Sequence, residues 1–291
     1  MPRSGTPRLI VFDSGLGGLT VLRALREAVP EAYVTYIADD AFFPYGALDD
    51  GALIARVHDV IGTAVAELAP DAVVIACNTA STIALADLRQ AHALPFIGTV
   101  PAVKPAAMLS QSRMISVLGT PATVQRDYTR TLIATHGEGC DYTLVGAGKL
   151  AALTEAVLAG MDVPDEAISA EIAPCFIDRN DRRTDVVVLG CTHYPLLIRR
   201  LEALAPWKVA WLDPAPAIAR RTANVLAELG FVVGVGASRP PGVIYFTSGK
   251  SAPEALRPLL DFCGLEANSP VMPGAATPPH DATPSTLEQP Q

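Results

Sequence analysis

Short apolar runs rich in Val, Ile and Leu alternate along the chain with longer stretches in which apolar residues recur every three or four positions. Branched side chains suit a pleated surface, so the runs predict strands at 9–13, 33–38, 72–77, 96–100, 114–118, 142–146, 186–191, 209–212 and 243–246. Helical spacing marks 53–68, 83–88, 196–204 and 218–229, and the stretch 9–25 reads as strand, glycine-rich turn and helix. Strands apolar at every position are buried on both faces, and their alternation with helices implies parallel pairing. The expected fold class is therefore α/β, with mostly parallel sheets between helical layers.

One strand pattern occurs twice. In "PDAVVIACNTAS" Asp71 stands six residues before Cys77, and in "TDVVVLGCTHYP" Asp185 stands six residues before Cys191. A small residue precedes each cysteine and a polar one follows, Asn78 and Thr79 in one copy and Thr192 in the other. The duplication suggests two similar units facing each other across a cleft, with a thiol at the carboxyl end of a strand in each. In open α/β sheets ligands bind in that position. Crossings near Pro101, Pro105 and Pro206 place a first, discontinuous unit at 1–98 plus 208–266 and a second at 99–207. From 267 to 291 the chain is Pro-rich without apolar periodicity, and disorder is expected there.

Composition narrows the possible partners. The net charge of −8, with no block of Lys or Arg, argues against a sequence-independent grip on nucleic acid. No apolar stretch approaches a membrane span, and the run after the N-terminus is too short for a secretory signal. The 5 cysteines are odd in number and scattered, unlike a disulfide framework, so a reducing cytoplasm is the expected location. Cys140, Cys175 and Cys263 read as packing, and His58, His92 and His136 as surface positions on helices.

The loop "DSGLGG" after the first strand lacks both the third glycine of a dinucleotide fingerprint and the Lys of a P-loop. It reads either as a carboxylate or phosphate cradle, with Asp13 and Ser14 at the strand tip, or as a tight turn with Asp13 as a helix cap. Three chemistries fit the cysteines. Cys191 with His193 could form a nucleophilic pair for acyl transfer, but this leaves Cys77 unused. Cys77, Cys191 and His193 could bind zinc, although no short-spaced ligand pair is present, and no metal is expected. Two thiols on opposite sides of a substrate could instead invert a carbon centre, one removing a proton and the other delivering one. Only this reading uses the duplication.

The stretches "FDSGLGGLTVL", "PYG" after Tyr36 and Asp39, "CNTAS", "GT" followed by Thr123, and "GCTHYPLL", in this order between about residues 8 and 264, closely resemble the glutamate racemases. That resemblance implies two similar α/β domains with the active site between them. It implies no cofactor, and D-glutamate made for peptidoglycan. By motif it implies Cys77 and Cys191 as the acid/base thiols, Asp13 as partner of Cys77, and His193 as partner of Cys191. Glu155 would be a further acidic residue on the second side, or else a solvated helix position. Substrate contacts carry over to Asp13, Ser14, Tyr45, Gly46, Asn78, Thr79, Thr120, Thr123, Thr192 and His193. Tyr45 could also be core, and Thr120 and Thr123 a helix cap. A homodimer and activation by a nucleotide-linked peptidoglycan precursor are further implied possibilities. Aspartate racemase, a non-catalytic amino-acid-binding protein and a cysteine hydrolase stand as alternatives.

Overall fold

In the computed structural model, residues 5–137, 139–234 and 239–266 are described, so the Pro-rich segment 267–291 lies outside the described residues. Strand β1 (Arg8–Asp13) shows how the apolar runs work. Leu9 and Val11 pack in one core with the helices Leu19–Ala28 and Ala215–Glu228. Ile10 and Phe12 face the opposite way, into a second core with the helix Asp50–Leu68. Successive strand residues alternate sides, and helices cover both, so every position after Arg8 is apolar or sealed. The helix Asp50–Leu68 contributes Leu53, Val57, Val60, Ile61 and Ala64, a single stripe at helical spacing. The Asp49 carboxylate begins that helix by accepting the Ala52 N–H at 3.0 Å.

The remaining strands are β2 (Tyr33–Ala38), β3 (Ala72–Ile75), β4 (Phe96–Gly98), β5 (Met114–Gly119), β6 (Asp141–Gly146), β7 (Asp178–Arg179), β8 (Arg182–Arg183), β9 (Val186–Gly190), β10 (Ala210–Leu212), β11 (Gly242–Phe246) and β12 (Leu265–Glu266). Among the described residues they form a six-stranded sheet, β12-β11-β2-β1-β3-β4, a four-stranded sheet, β10-β9-β5-β6, and the small hairpin β7-β8. All pairings in the two large sheets are parallel. In the first sheet the order reverses between β1 and β3, and in the second between β5 and β9. Such switch points open a crevice at the strands' carboxyl ends, and each cysteine follows a strand of one reversing pair.

The two sheets repeat one register. Phe12 pairs with Ile75, two residues before Cys77, and Leu118 pairs with Leu189, two residues before Cys191. The recurrent aspartate has the same structural task in each copy. Asp71 accepts the Arg8 N–H at 2.9 Å, at the start of β1. Asp185 accepts the N–H groups of Gln111 at 2.7 Å and Ser112 at 2.8 Å, just before β5, and the Ser110 hydroxyl at 2.6 Å. Burial opposes ionisation of Asp185, but the bonds from Ser110, Ser112 and Gln111 outweigh it and lower its pKa. A carboxyl that ionises more easily when folded stabilises the fold above the unfolded pKa of about 3.9 and loses that contribution as the pH falls below it. Asp185→Ala is expected to cost about 1–3 kcal/mol in urea unfolding at pH 7. The difference from the unmutated chain should shrink toward pH 3, and a constant difference would show that the charge is irrelevant.

Three details differ from the sequence reading. Ala210–Leu212 pairs with β9, so this strand belongs to the second sheet, and the chain returns to the first sheet's layers with the helix Ala215–Glu228 rather than at 208. The cysteine strands end at Ile75 and Gly190, which frees each thiol from the ladder. The strands β7, β8 and β12 have only two residues each, too short to show a pattern. Among the described residues no helix is long and apolar enough to cross a membrane.

Candidate active site

The carboxyl ends of β1, β3, β5 and β9 meet around a cavity of about 20 Å³. Ser14, Cys77, and Asn78 and Thr79 at the start of the helix Asn78–Ile83 line it from the first sheet's side, and Thr120, Cys191, Thr192 and His193 from the second's. Phe43, Pro44, Tyr45 and Gly46, after β2, and Ala151, on the helix Leu150–Leu158, complete the wall. Both thiols are free and buried.

On the first side, the Cys77 Sγ–H donates to Ser14 Oγ at 3.7 Å. Asp13, fully buried behind Ser14, accepts the N–H groups of Ser14 at 2.8 Å and Gly18 at 2.6 Å. Burial raises the Asp13 pKa against the opposing pull of His193 and these donors. Burial and the charge of Asp13 push the Cys77 thiol up to about 12, so Cys77 is held protonated. Asn78 is 2% exposed, and neither its amide oxygen nor its nitrogen has a partner among the described residues. An unpaired buried amide is costly, which makes it a natural ligand for a bound polar molecule.

On the second side, Cys191 Sγ lies 3.8 Å from His193 Nδ1, and His193 Nε2 lies 2.7 Å from Glu155 Oε1. Burial alone would keep the imidazole neutral. The hydrogen bonds to Cys191 and Glu155, with the charges of Cys191 and Asp13, nevertheless raise the His193 pKa well above its ordinary value. A cationic imidazole is the usual neighbour of a reactive thiolate. The Phe43 ring rests on this imidazole at 5.4 Å between centroids and limits its access to water.

The units are bonded across the site. Thr192 Oγ1 donates to Asp13 Oδ2 at 2.9 Å, and the Leu16 N–H donates to Glu155 Oε1 at 2.7 Å. The glycine-rich loop therefore does cradle carboxylates, but they are the protein's own. Its glycines allow the approach: a Cβ on Gly15 would stand 2.5 Å from Glu155 Oε1, and one on Gly17 would stand 2.5 Å from His193 Nδ1. Farther out, Arg126 pairs with Asp50 across the same boundary.

Several residues singled out from the sequence occupy places other than the cavity wall. Asp13 and Thr123 are fully buried behind it, and Glu155 reaches it only through His193. Thr123 forms a hydroxyl triangle with Thr79 and Thr120, at 3.0 to 3.4 Å. Thr120 also caps the helix Pro121–Gln125, so the cap and the cavity wall are one structure. Tyr45 lines the cavity, while its hydroxyl donates to Asp39 Oδ2 at 2.5 Å. Asp39 also holds Arg56 and the Thr247 hydroxyl, which anchors the loop carrying Tyr45. The Tyr36 hydroxyl donates to the Gly15 carbonyl at 2.8 Å, beneath the glycine loop. Phe43, Ala151 and the Leu16 N–H carry no chemical signal in sequence and emerge only here. Cys175 and Cys263 are buried, Cys140 is half-buried, and His58, His92 and His136 are half-buried. Among the described residues no group of three or more His, Cys, Asp or Glu side chains is placed to hold a metal ion.

Residues 18–222 match the model of the family described as Asp/Glu/Hydantoin racemase. The glutamate racemase of Brucella canis is 53% identical over 219 residues, covering 75% of this chain and 79% of that protein. The structure is similar to that of Escherichia coli glutamate racemase in complex with L-glutamate and the activator UDP-MurNAc-ala. That pair shares 35% identity with a TM-score of 0.80, over 90% of this chain and 97% of the other. Thermus thermophilus glutamate racemase, solved with beta-chloro-D-alanine, is similar at 30% identity with a TM-score of 0.68, over 90% and 95% of the two chains.

Proposed function

Because this chain belongs to the Asp/Glu/hydantoin racemase family, we propose that it interconverts L- and D-glutamate by two-thiol proton transfer, without a cofactor. The observation that carries the mechanism is the placement of Cys77 and Cys191 on one cavity, each with its own supporting groups. One cysteine, as thiolate, removes the α-proton and becomes a thiol, while the other, as thiol, delivers its proton to the opposite face and becomes a thiolate, and the roles exchange in the reverse direction. The surroundings are unequal in a useful way. Cys77, beside Asp13, is the proton donor at the outset, and Cys191, beside the His193 imidazolium, is the acceptor. Asp13 supports the first thiol and His193 the second, while Glu155 holds His193.

Ser14, Asn78, Thr79, Thr120 and backbone N–H groups supply the donors and acceptors that two carboxylates and an ammonium need. Preorganised donors of this kind stabilise the charge that develops when the α-proton leaves. The cavity is small, about 20 Å³, and in this reading the two units separate to admit an amino acid and then close on it. The likeness to the Escherichia coli protein supports activation by a nucleotide-linked peptidoglycan precursor as part of this reading. A cytoplasmic homodimer supplying D-glutamate for the cell wall completes it.

Circular dichroism separates the substrates. The signal of L-glutamate is expected to decay to zero while that of L-aspartate persists. Decay with aspartate alone would reassign the substrate, and decay with neither would end the racemase reading. In deuterated water, deuterium should enter the α-position of both glutamate enantiomers.

A further inference from the structure

Thr192 follows Cys191 in the chain, which suggests service to that thiol or to the substrate. Its bonds lie elsewhere. The hydroxyl donates to Asp13, 2.9 Å from Oδ2 and 3.5 Å from Oδ1, and the backbone carbonyl accepts from Thr20 Oγ1 at 3.3 Å. Both partners belong to the first unit, Asp13 at the end of β1 and Thr20 in the helix Leu19–Ala28. Thr192 is 5% exposed and Asp13 is fully buried, so water does not readily replace this bond. Of the Asp13 donors described, Ser14 N–H and Gly18 N–H come from its own loop, and Thr192 alone comes from across the cleft.

We infer that Thr192 is a positioning residue for the Cys77 half of the reaction, acting through Asp13 from the opposite unit. This inference rests on the two-thiol reading. Separation of the units removes the Thr192 hydroxyl from Asp13, and closure over substrate restores it. Asp13 then has its third donor, its charge is held next to Cys77, and that thiol is set for its proton step only when the site is shut. The bond from Leu16 N–H to Glu155 is the counterpart in the other direction, tying the group behind His193 to the first unit. Each thiol's carboxylate is thus completed by the unit that carries the other thiol.

Rates alone cannot say which half is impaired. L- and D-glutamate have equal free energies in water, so kcat/KM remains equal in the two directions for every variant. Kinetic isotope effects with α-deuterated substrates do separate the halves. Slowing the Cys77 step raises the isotope effect on kcat/KM for the enantiomer that Cys77 deprotonates. It lowers the effect for the other enantiomer, whose abstraction by Cys191 becomes reversible. Asp13→Asn defines this pattern and His193→Asn defines its mirror image.

Thr192→Val is expected to lower kcat/KM about ten- to a hundred-fold. Its isotope effects should shift in the Asp13→Asn sense, and Thr192→Ser, which keeps the hydroxyl, should restore both rate and isotope effects. A shift in the His193→Asn sense, or equal shifts with both enantiomers, would overturn the inference while leaving the two-thiol reading intact. If Thr192→Val does not fold, Thr192→Ala gives the same comparison. Absence of solvent exchange in the unmutated protein would defeat the two-thiol reading, and the inference with it.

Discussion

Replacing either Cys77 or Cys191 by serine is expected to reduce racemisation of glutamate by about a thousandfold or more, near the upper range for loss of a positioned acid or base. A serine hydroxyl fills a similar space but releases its proton far less readily than a thiol, so the test bears on chemistry rather than packing. Each variant keeps one working thiol. Cys77→Ser should therefore still exchange the α-hydrogen of one enantiomer with deuterated water, with retention of configuration, and Cys191→Ser should do so for the other. This complementary pattern is more telling than the loss of rate. A hydrolase using Cys191 alone would leave Cys77→Ser fully active, and a structural role for Cys77 would give no enantiomer-selective exchange. Racemisation within tenfold of the unmutated rate in either variant would remove the two-thiol scheme.

The second large effect is expected at Gly17, where an alanine should lower activity about a hundredfold or more with the fold retained. Its Cβ would stand 2.5 Å from His193 Nδ1, 2.6 Å from Thr192 Oγ1 and 2.7 Å from the His193 backbone nitrogen. The last contact cannot be relieved by turning a side chain, so the units must separate locally. Displacement of about 1 Å between reacting groups costs roughly a hundredfold. The clash lies between the units and not inside either core, so thermal unfolding should shift far less than activity. Gly62→Ala is the control, because its Cβ meets nothing within 4 Å in the helix Asp50–Leu68 and alanine favours a helix. Near-normal activity of Gly17→Ala would mean that the units close in some other way.

The strands were largely legible because their positions are buried on both faces, and such burial requires unbroken apolar runs, as in Val186–Gly190. The recurrence of Asp71 and Asp185 was legible as a pattern without its meaning. Only the pairing of β1 with β3 and of β5 with β9 shows why an aspartate is needed six residues before each thiol: it accepts backbone N–H groups where the neighbouring strand starts. The edge strand β10 was legible as a strand but not as a member of the second sheet, since partner choice leaves no mark on a three-residue run.

Local pattern by itself determined nine of the strands, five of the helices, the tight glycine loop and the two thiols at strand ends. Burial, periodicity and turn chemistry act over a few residues, and they write themselves into adjacent positions. Only the tertiary structure decided that the glycine loop accommodates Glu155 and His193 instead of a free anion, and that the Thr192 hydroxyl serves Asp13. It also placed Phe43 on the imidazole. Leu16 and Glu155 are 139 residues apart, and Asp13 and Thr192 are 179 apart. Contacts at that separation follow from how two finished sheets face each other, and a hydroxyl beside a cysteine in sequence does not reveal which side of the cleft it will serve.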